Sequence, residues 1–343
     1  MEHRNSPQKR KETGSGFRLF VRRIKAKWTS LVFSLVVLVL IMIGPILPSG
    51  IMSLMLEMMI LSIFAMGYDI CLGYTDQCSL GHSLFFGVGA YGIVLPVLHF
   101  NVGLWLALLI ALALTFVFAF LEGLISVRLS EAYFVIITAI FFFIFFLLAL
   151  SMTWLTGGDD GLSVQIPPVD LGFATFSIYN RLVNFYFVLS FLVATYIILT
   201  RIVNSPLGKV FISIRENQER ATFLGYNVFR YKLAAFVLSA LFAGLSGALY
   251  AIRLRYGNAD FFSFTWSVNP IIWSLLGGMG TLVGPCIGVV ILSLFQYYVS
   301  GWWSQYLIIV GVLLIIVLRV SPKGIMGYIR SKTEERRWKK VQA

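Results

Sequence analysis

Five ionisable side chains interrupt stretches that are otherwise apolar: Glu57, Asp69, Asp76, His82 and Glu122. A charge surrounded by hydrocarbon is costly, so such residues face a protein interior, a water-filled path or a partner, and in series they could relay protons. Glycine and small polar residues crowd around them in GYTDQCSLGHSLFFGVGAYG at 73–92, and glycine breaks a second apolar run in LLGGMGTLVGPCIG at 275–288. Non-helical backbone at membrane depth is tolerated only where protein or a cavity satisfies its N–H and C=O groups. Both segments therefore read as broken helices. Interruptions in corresponding halves of a chain point to an internal repeat with a solute path between them. Asp76, Ser79, Gly81 and His82 from the first break, and Gly277, Gly278, Gly280 and Gly284 from the second, are the candidate path residues. Gly87, Gly89 and Gly92 read instead as positions of close helix approach.

Catalysis finds no support in the sequence. There is no H-E-x-x-H, no paired catalytic carboxylates and no G-x-S-x-G, so no catalytic residue is assigned and the chain is not expected to be an enzyme. Cys71, Cys78 and Cys286 fall within apolar segments and read as packing residues, with no metal site expected. No G-x-x-x-x-G-K-[ST] phosphate cradle occurs, so no nucleotide or other cofactor is expected on this chain.

The elements that must position these residues follow from composition. Of 343 residues, 59% are hydrophobic and 12% charged, with a mean hydropathy of +0.87. Apolar stretches that approach or exceed the roughly 20 residues of a membrane-spanning helix recur at 30–48, 51–72, 103–125, 133–155, 184–203 and 232–252, with a long run at 270–319. The fold class is all-α, a polytopic bundle of transmembrane helices. Counting crossings with both termini on one side gives about ten spans, or eight if the last run crosses once and re-enters. ILSIFAMGYDICLGYTDQCS faintly resembles FVLSALFAGLSGALYAIR, and this topology sends the two in opposite directions, which would make the repeat inverted.

Charge sets the orientation. Nine Lys or Arg lie in residues 1–28, six in 201–232 and eight from Arg319 onward, together 23 of 27. Basic residues near spans stay cytoplasmic, so both termini and the loop at 204–231 are expected inside. The loop at 156–183, with Asp159, Asp160 and Asp170 against only Arg181, is expected outside. The domains are then a basic tail at 1–28, a transmembrane domain at 29–319 and a basic tail at 320–343. The net charge of +12 sits beside spans, where it suits membrane lipid, so nucleic acid is not an expected partner. The basic N-terminal stretch and the long apolar segment after it, with no A-x-A-like site, do not read as a cleaved signal peptide.

GYTDQCSLGHSLFFGVGAY resembles the signature of LivM-type permeases of branched-chain amino acid ABC transporters. EAYFVIITAIFFFI with WLTGGDDGL, then SPLGKVFISIRENQERATFLGYNVFRYKLAAFVLSALFAGLSGALYA, then LLGGMGTLVGPCIG resemble further regions of that family in the same order, over about residues 51–320. Asp76 and Cys78 stand where the family more often has Gly and Leu. The resemblance implies an inner-membrane permease subunit of an importer whose ATP is bound and hydrolysed by separate ATPase subunits. It also implies a second, homologous permease and an extracytoplasmic solute-binding protein as partners, with amino acids, chiefly branched-chain, as the solute. A cytoplasmic helix that docks into the ATPase is implied at 205–225, with Gly208, Arg215, Glu216, Glu219, Arg220 and Gly225 as coupling residues. Its physical character agrees: Ser205-Pro206 suits an N-cap and first helical position, and Val210, Phe211 and Ile214 share one face. Glu216 and Arg220 have the spacing of an i,i+4 pair. Two other readings remain at this point, an ion-coupled secondary transporter using the buried ionisable residues, and a related ABC permease for urea or short amides.

Overall fold

The computed structural model describes residues 33–170 and 175–299, together with 311, 319 and 324–326. The tail at 1–28, most of 320–343 and most of 300–319 lie outside the described residues. A short apolar helix, α1 (Phe33–Ile46), belongs to a unit of its own, Met1–Leu47, and everything that follows concerns the second unit, from Pro48 onward.

Among the described residues there, six helices are long and apolar enough to cross a membrane: α2 (Ser49–Thr75), α3 (His82–Phe100), α4 (Leu104–Ser126), α5 (Glu131–Ser151), and, after the one-turn α6 (Thr153–Thr156), α7 (Arg181–Asn204) and, further on, α10 (Val228–Leu254). Between the last two lie the shorter α8 (Pro206–Glu216) and α9 (Gln218–Phe223), and the described chain ends with a hairpin of α11 (Phe264–Gly277) and α12 (Val283–Val299). The protein is an all-α polytopic bundle. α11 and α12, at 14 and 17 residues, are shorter than the roughly 20 needed to span.

Side-chain contacts fix the helix directions. Arg253 meets Glu57, Ser246 meets Ile60 and Phe242 meets Gly67, so α10 runs antiparallel to α2. His82 meets Ser239, Gly89 meets Gly244 and Val94 meets Gly257, so α3 runs with α10. α4 returns against α3, with Glu122 beside Gly81 and Ala111 beside Gly92. This alternation gathers residues 76–81, 127–130 and 204–231 at one end, called here the basic end. Residues 101–103, 152–180 and 255–263 gather at the other, the loop end. The two segments whose similarity suggested a repeat thus lie in α2 and α10, packed side by side and opposed in direction.

In lipid, association gains little from hydrophobicity, because acyl chains are as apolar as leucine; close packing and dispersion must hold the bundle. Gly89 lies against the backbone of Gly244, and Gly247 against the carbonyl of Phe86, so any side chain at these positions would collide. Gly87 and Gly92 are likewise filled, by the Phe262 ring and by Ala111. The packing expectation for Gly87, Gly89 and Gly92 is met. Phe64, Phe85, Phe86 and Phe236 are fully buried in the same region, and the rings of Phe86 and Trp266 stack 4.3 Å apart. α4 and α5 are the least buried of the six, and they present Leu109, Leu121, Phe143 and Leu147 outward, as faces toward acyl chains do.

At the loop end, β1 (Leu162–Ser163), β2 (Val169–Asp170), β3 (Thr175–Phe176) and β4 (Tyr256–Gly257) form two antiparallel ladders, β1 with β4 and β2 with β3. The Trp105 Nε1–H donates to the Asp170 carbonyl at 2.7 Å, and the Tyr256 hydroxyl donates to the Asp160 carbonyl. The acidic loop is therefore tied down over the helix ends.

Candidate functional site: two helix breaks and a coupling helix

The first break lies where the sequence placed it. α2 stops at Thr75, Asp76 adopts the left-handed conformation at φ 59°, and α3 begins at His82. Asp76 is exposed, whereas Gln77, Ser79, Gly81 and His82 are buried. Neutral partners satisfy the break: Tyr68 Oη–H donates to the Ser79 carbonyl at 2.7 Å, Thr138 Oγ1 accepts from Leu80 N–H at 3.2 Å, and Ser79 Oγ accepts from Gly81 N–H at 3.1 Å. His82 Nε2 lies 2.8 Å from Ser239 Oγ, and the edges or faces of Tyr68, Phe85 and Phe236 enclose its ring.

His82 and Glu122 stand near helix ends, where solvation would be their ordinary explanation, and here the structure corrects the sequence reading. His82 is fully buried and Glu122 is 2% exposed. The Glu122 oxygens and His82 Nδ1 have no hydrogen-bond partner among the described residues. The packing of α4 against α3 and α10 closes water off at that depth. Glu57 and Asp69, by contrast, acquire partners that sequence could not name. Glu57 Oε2 pairs with Arg253 Nη2 at 3.1 Å across the α2–α10 contact.

The second break is the turn at 278–282. Gly278 and Gly280 take φ of 115° and 71°, conformations closed to most side chains. Gly277 and Gly284 lie backbone to backbone where α11 and α12 meet. The turn is held from across the bundle: Asp69 Oδ1 accepts from Gly280 N–H at 2.8 Å, and Oδ2 accepts from Thr281 N–H at 3.1 Å and Leu282 N–H at 3.0 Å. These amides lead into the first turn of α12, where unsatisfied N–H groups and the positive end of the helix dipole favour an anion. One carboxylate on α2 thus caps the second broken segment. Thr281 adds a local cap, its Oγ1 accepting from Gly284 N–H at 3.0 Å.

The coupling segment reaches this same point. Pro206 occupies the first turn of α8 as expected, although the Ser205 hydroxyl donates backward to the Ile202 carbonyl at 2.6 Å instead of capping the helix. Val210, Phe211 and Ile214 form the buried face, and Val210 and Ile214 cluster with Ala221 under Val228 and Tyr231. Gly208 is pressed against the Val203 carbonyl. Arg215 crosses to α2, its guanidinium donating to the Gly73 carbonyl in the last helical turn. A methyl group on Gly280 would lie 2.7 Å from the same Arg215 nitrogen. Gly73, Asp69, Gly280 and Arg215 therefore converge, joining the coupling helix to both broken elements.

Glu216, Glu219 and Arg220 are exposed, and Gly225 turns at φ 87° with open space around it. Glu216 and Arg220 do not form the expected i,i+4 pair within one helix. Asn217 adopts an extended conformation, φ −166° and ψ 109°, which ends α8, and its Oδ1 then caps α9 by accepting from Arg220 N–H at 2.7 Å. An asparagine prefers such a cap to a helix interior. Beyond the coupling residues named from sequence, Phe223 and Leu224 stand 89% and 68% exposed at the tip of this segment. Their signal was their place off the buried register of Val210, Ile214 and Ala221.

The comparisons with known proteins agree with this architecture. A family model described as branched-chain amino acid transport system, permease component, matches residues 50–318. The high-affinity branched-chain amino acid transport system permease protein LivM of Escherichia coli K12 is 28% identical over 320 residues, covering 87% of this chain and 75% of its own. The probable branched-chain amino acid transport permease protein LivM of Methanocaldococcus jannaschii is 25% identical over 303 residues, 83% of each chain. A 126-residue stretch is 32% identical to the permease protein LivH of E. coli K12, covering 36% of this chain and 40% of that one. No solved structure matches at a significant level. With its match across 50–318 and a bundle of membrane-spanning helices, the chain belongs to the family of branched-chain amino acid transport permease components.

Proposed function

We propose that this chain is one of two permease subunits of an ABC importer for aliphatic amino acids, driven by ATPases that bind beneath its basic end. The observation that carries this reading is the convergence of Arg215, Gly73, Asp69 and Gly280. An amphipathic helix with an exposed tip touches, through one guanidinium, the two places where the helices are broken. Movement of α8 by an external motor would pull on the end of α2 and on the α11–α12 turn together, tilting the segments that border the solute path. The exposed Phe223 and Leu224, flanked by Glu219, Arg220 and Gly225, form the surface for an ATPase groove, where an apolar anchor ringed by charge gives both affinity and orientation.

The wider distribution of charge supports the orientation. The basic end carries the 201–232 cluster and Arg128, which supports a cytoplasmic position for it. The acidic loop and its two ladders then lie outside, where a solute-binding protein would dock. The names of the relatives support branched-chain amino acids as solute and a second permease as partner.

The partners of Glu57 and Asp69 weaken the ion-coupled alternative. Asp69 is spent on three backbone amides and Glu57 on Arg253, so neither is free to serve in a relay. Reconstitution tests the proposal: proteoliposomes holding both permeases and the ATPases should accumulate leucine only with ATP and binding protein, and this chain alone should be inert. Gradient-driven uptake by the chain alone would overturn it.

A further inference from the structure

Only four of the 27 basic residues lie outside residues 1–28, 201–232 and 319–343: Arg128, Arg181, Arg253 and Arg255. Arg128 is at the basic end. The other three all sit at the loop end, and all three line one pocket of about 190 Å³ between the starts of α2 and α7 and the end of α10. Membrane topology disfavours arginine on that side, so three converging on one cavity call for a ligand.

Their partners differ. Arg253 is neutralised by Glu57 and also donates to Ser53 Oγ at 3.1 Å; Arg255 lies over the Tyr179 ring, 4.1 Å from its centre. Arg181 makes no hydrogen bond or ion pair among the described residues. One turn along α7 is Asn184, which also lines the pocket, is 8% exposed, and has a buried Oδ1 with no hydrogen-bond partner among the described residues. A buried acceptor left empty is a standing cost that a donor from a ligand would remove. Met52 and Leu56 supply an apolar wall. The volume is below the roughly 300–1,000 Å³ of drug-sized sites, which restricts the occupant to a small solute.

An unpaired guanidinium, an unpaired carbonyl three residues away and an apolar wall are complementary to a carboxylate, an ammonium and an aliphatic side chain. We propose that this outer pocket is a receiving site for a zwitterionic aliphatic amino acid, its carboxylate on Arg181, its ammonium on Asn184 Oδ1 and its side chain against Met52 and Leu56. The two helix N-termini at the pocket, of α2 and α7, add to the attraction for the carboxylate. The inference rests on the proposed amino-acid cargo and assigns it an entry site.

The test is binding of L-leucine to the full chain in nanodiscs, measured beside leucinamide, which lacks the carboxylate, and 4-methylpentanoate, which lacks the ammonium. Leucine should bind at least about tenfold more tightly than either, the usual worth of a charge-assisted hydrogen bond. Arg181→Gln and Asn184→Leu should each weaken leucine binding by about tenfold, and Arg181→Lys should restore part of the loss. Arg181 is exposed, so its variants keep the fold. Equal binding of leucinamide, leucine binding indifferent to Arg181, or glycerol phosphate binding in preference to leucine would overturn the site. Leucine uptake by the assembled transporter without Arg181-dependent binding overturns the pocket alone; Arg181-dependent binding without uptake overturns the cargo reading alone; absence of both overturns both.

Discussion

The two helix breaks solve one problem in different ways. At 76–81 the freed backbone groups are met by several neutral partners, Tyr68 of α2, Thr138 of α5 and Ser79 of the break itself among them. At 278–282 three amides depend on a single carboxylate, Asp69, in a turn that Arg215 also touches. Distributed neutral bonds make a break that tolerates the loss of any one partner. A single charge makes a junction that one movement can disturb, and Arg215 of the coupling helix, bonded to the Gly73 carbonyl, lies beside it.

The difference can be broken most forcibly at Asp69. Asp69→Leu orphans three buried amides beside a helix N-terminus and should cost about 3–5 kcal/mol, as removing one side of a buried charged network does; thermal unfolding in detergent would show it, together with loss of uptake. Asp69→Asn, which keeps an acceptor, should cost less. At the first break, Tyr68→Phe and Thr138→Val should each lower stability by only about 1 kcal/mol and leave uptake largely intact. If they proved as damaging as Asp69→Leu, the contrast would fail. Removing the anchor at the coupling tip, by Phe223→Ala with Leu224→Ala, should reduce ATPase association in pull-down assays without shifting the melting temperature by a measurable amount, because neither side chain packs within the chain. The smallest effect is expected at Glu122. As it has no hydrogen-bond partner to lose among the described residues and the substitution keeps its shape, Glu122→Gln should support uptake within about twofold of the original. Abolished uptake would instead revive proton coupling.

Much of this was legible in the sequence. Apolar length and basic clusters gave the helices and their directions, and glycine marked both breaks and the packing at Gly89. Val210, Phe211 and Ile214 announced the buried face of the coupling helix. The partners were not legible. Asp69 meets residues more than 200 positions away, and Glu57 meets Arg253; such pairs follow from which helices lie side by side, which periodicity does not encode. The break at Asn217 was missed because i,i+4 spacing was weighed without the competing preference of asparagine for a cap. The burial of Glu122 was not legible either: a place near a helix end suggests solvation, whereas α3 and α10 cover it.

The central claim is that Arg215 transmits motion from the ATPase to the broken helices. It is tested most directly by measuring ATP hydrolysis and leucine uptake together in proteoliposomes of the complete transporter carrying Arg215→Ala. The account predicts hydrolysis close to that of the original and uptake lower by about tenfold or more, as expected when a charged hydrogen bond is lost. Uptake and hydrolysis that fall in proportion, or uptake that is unchanged, would contradict it.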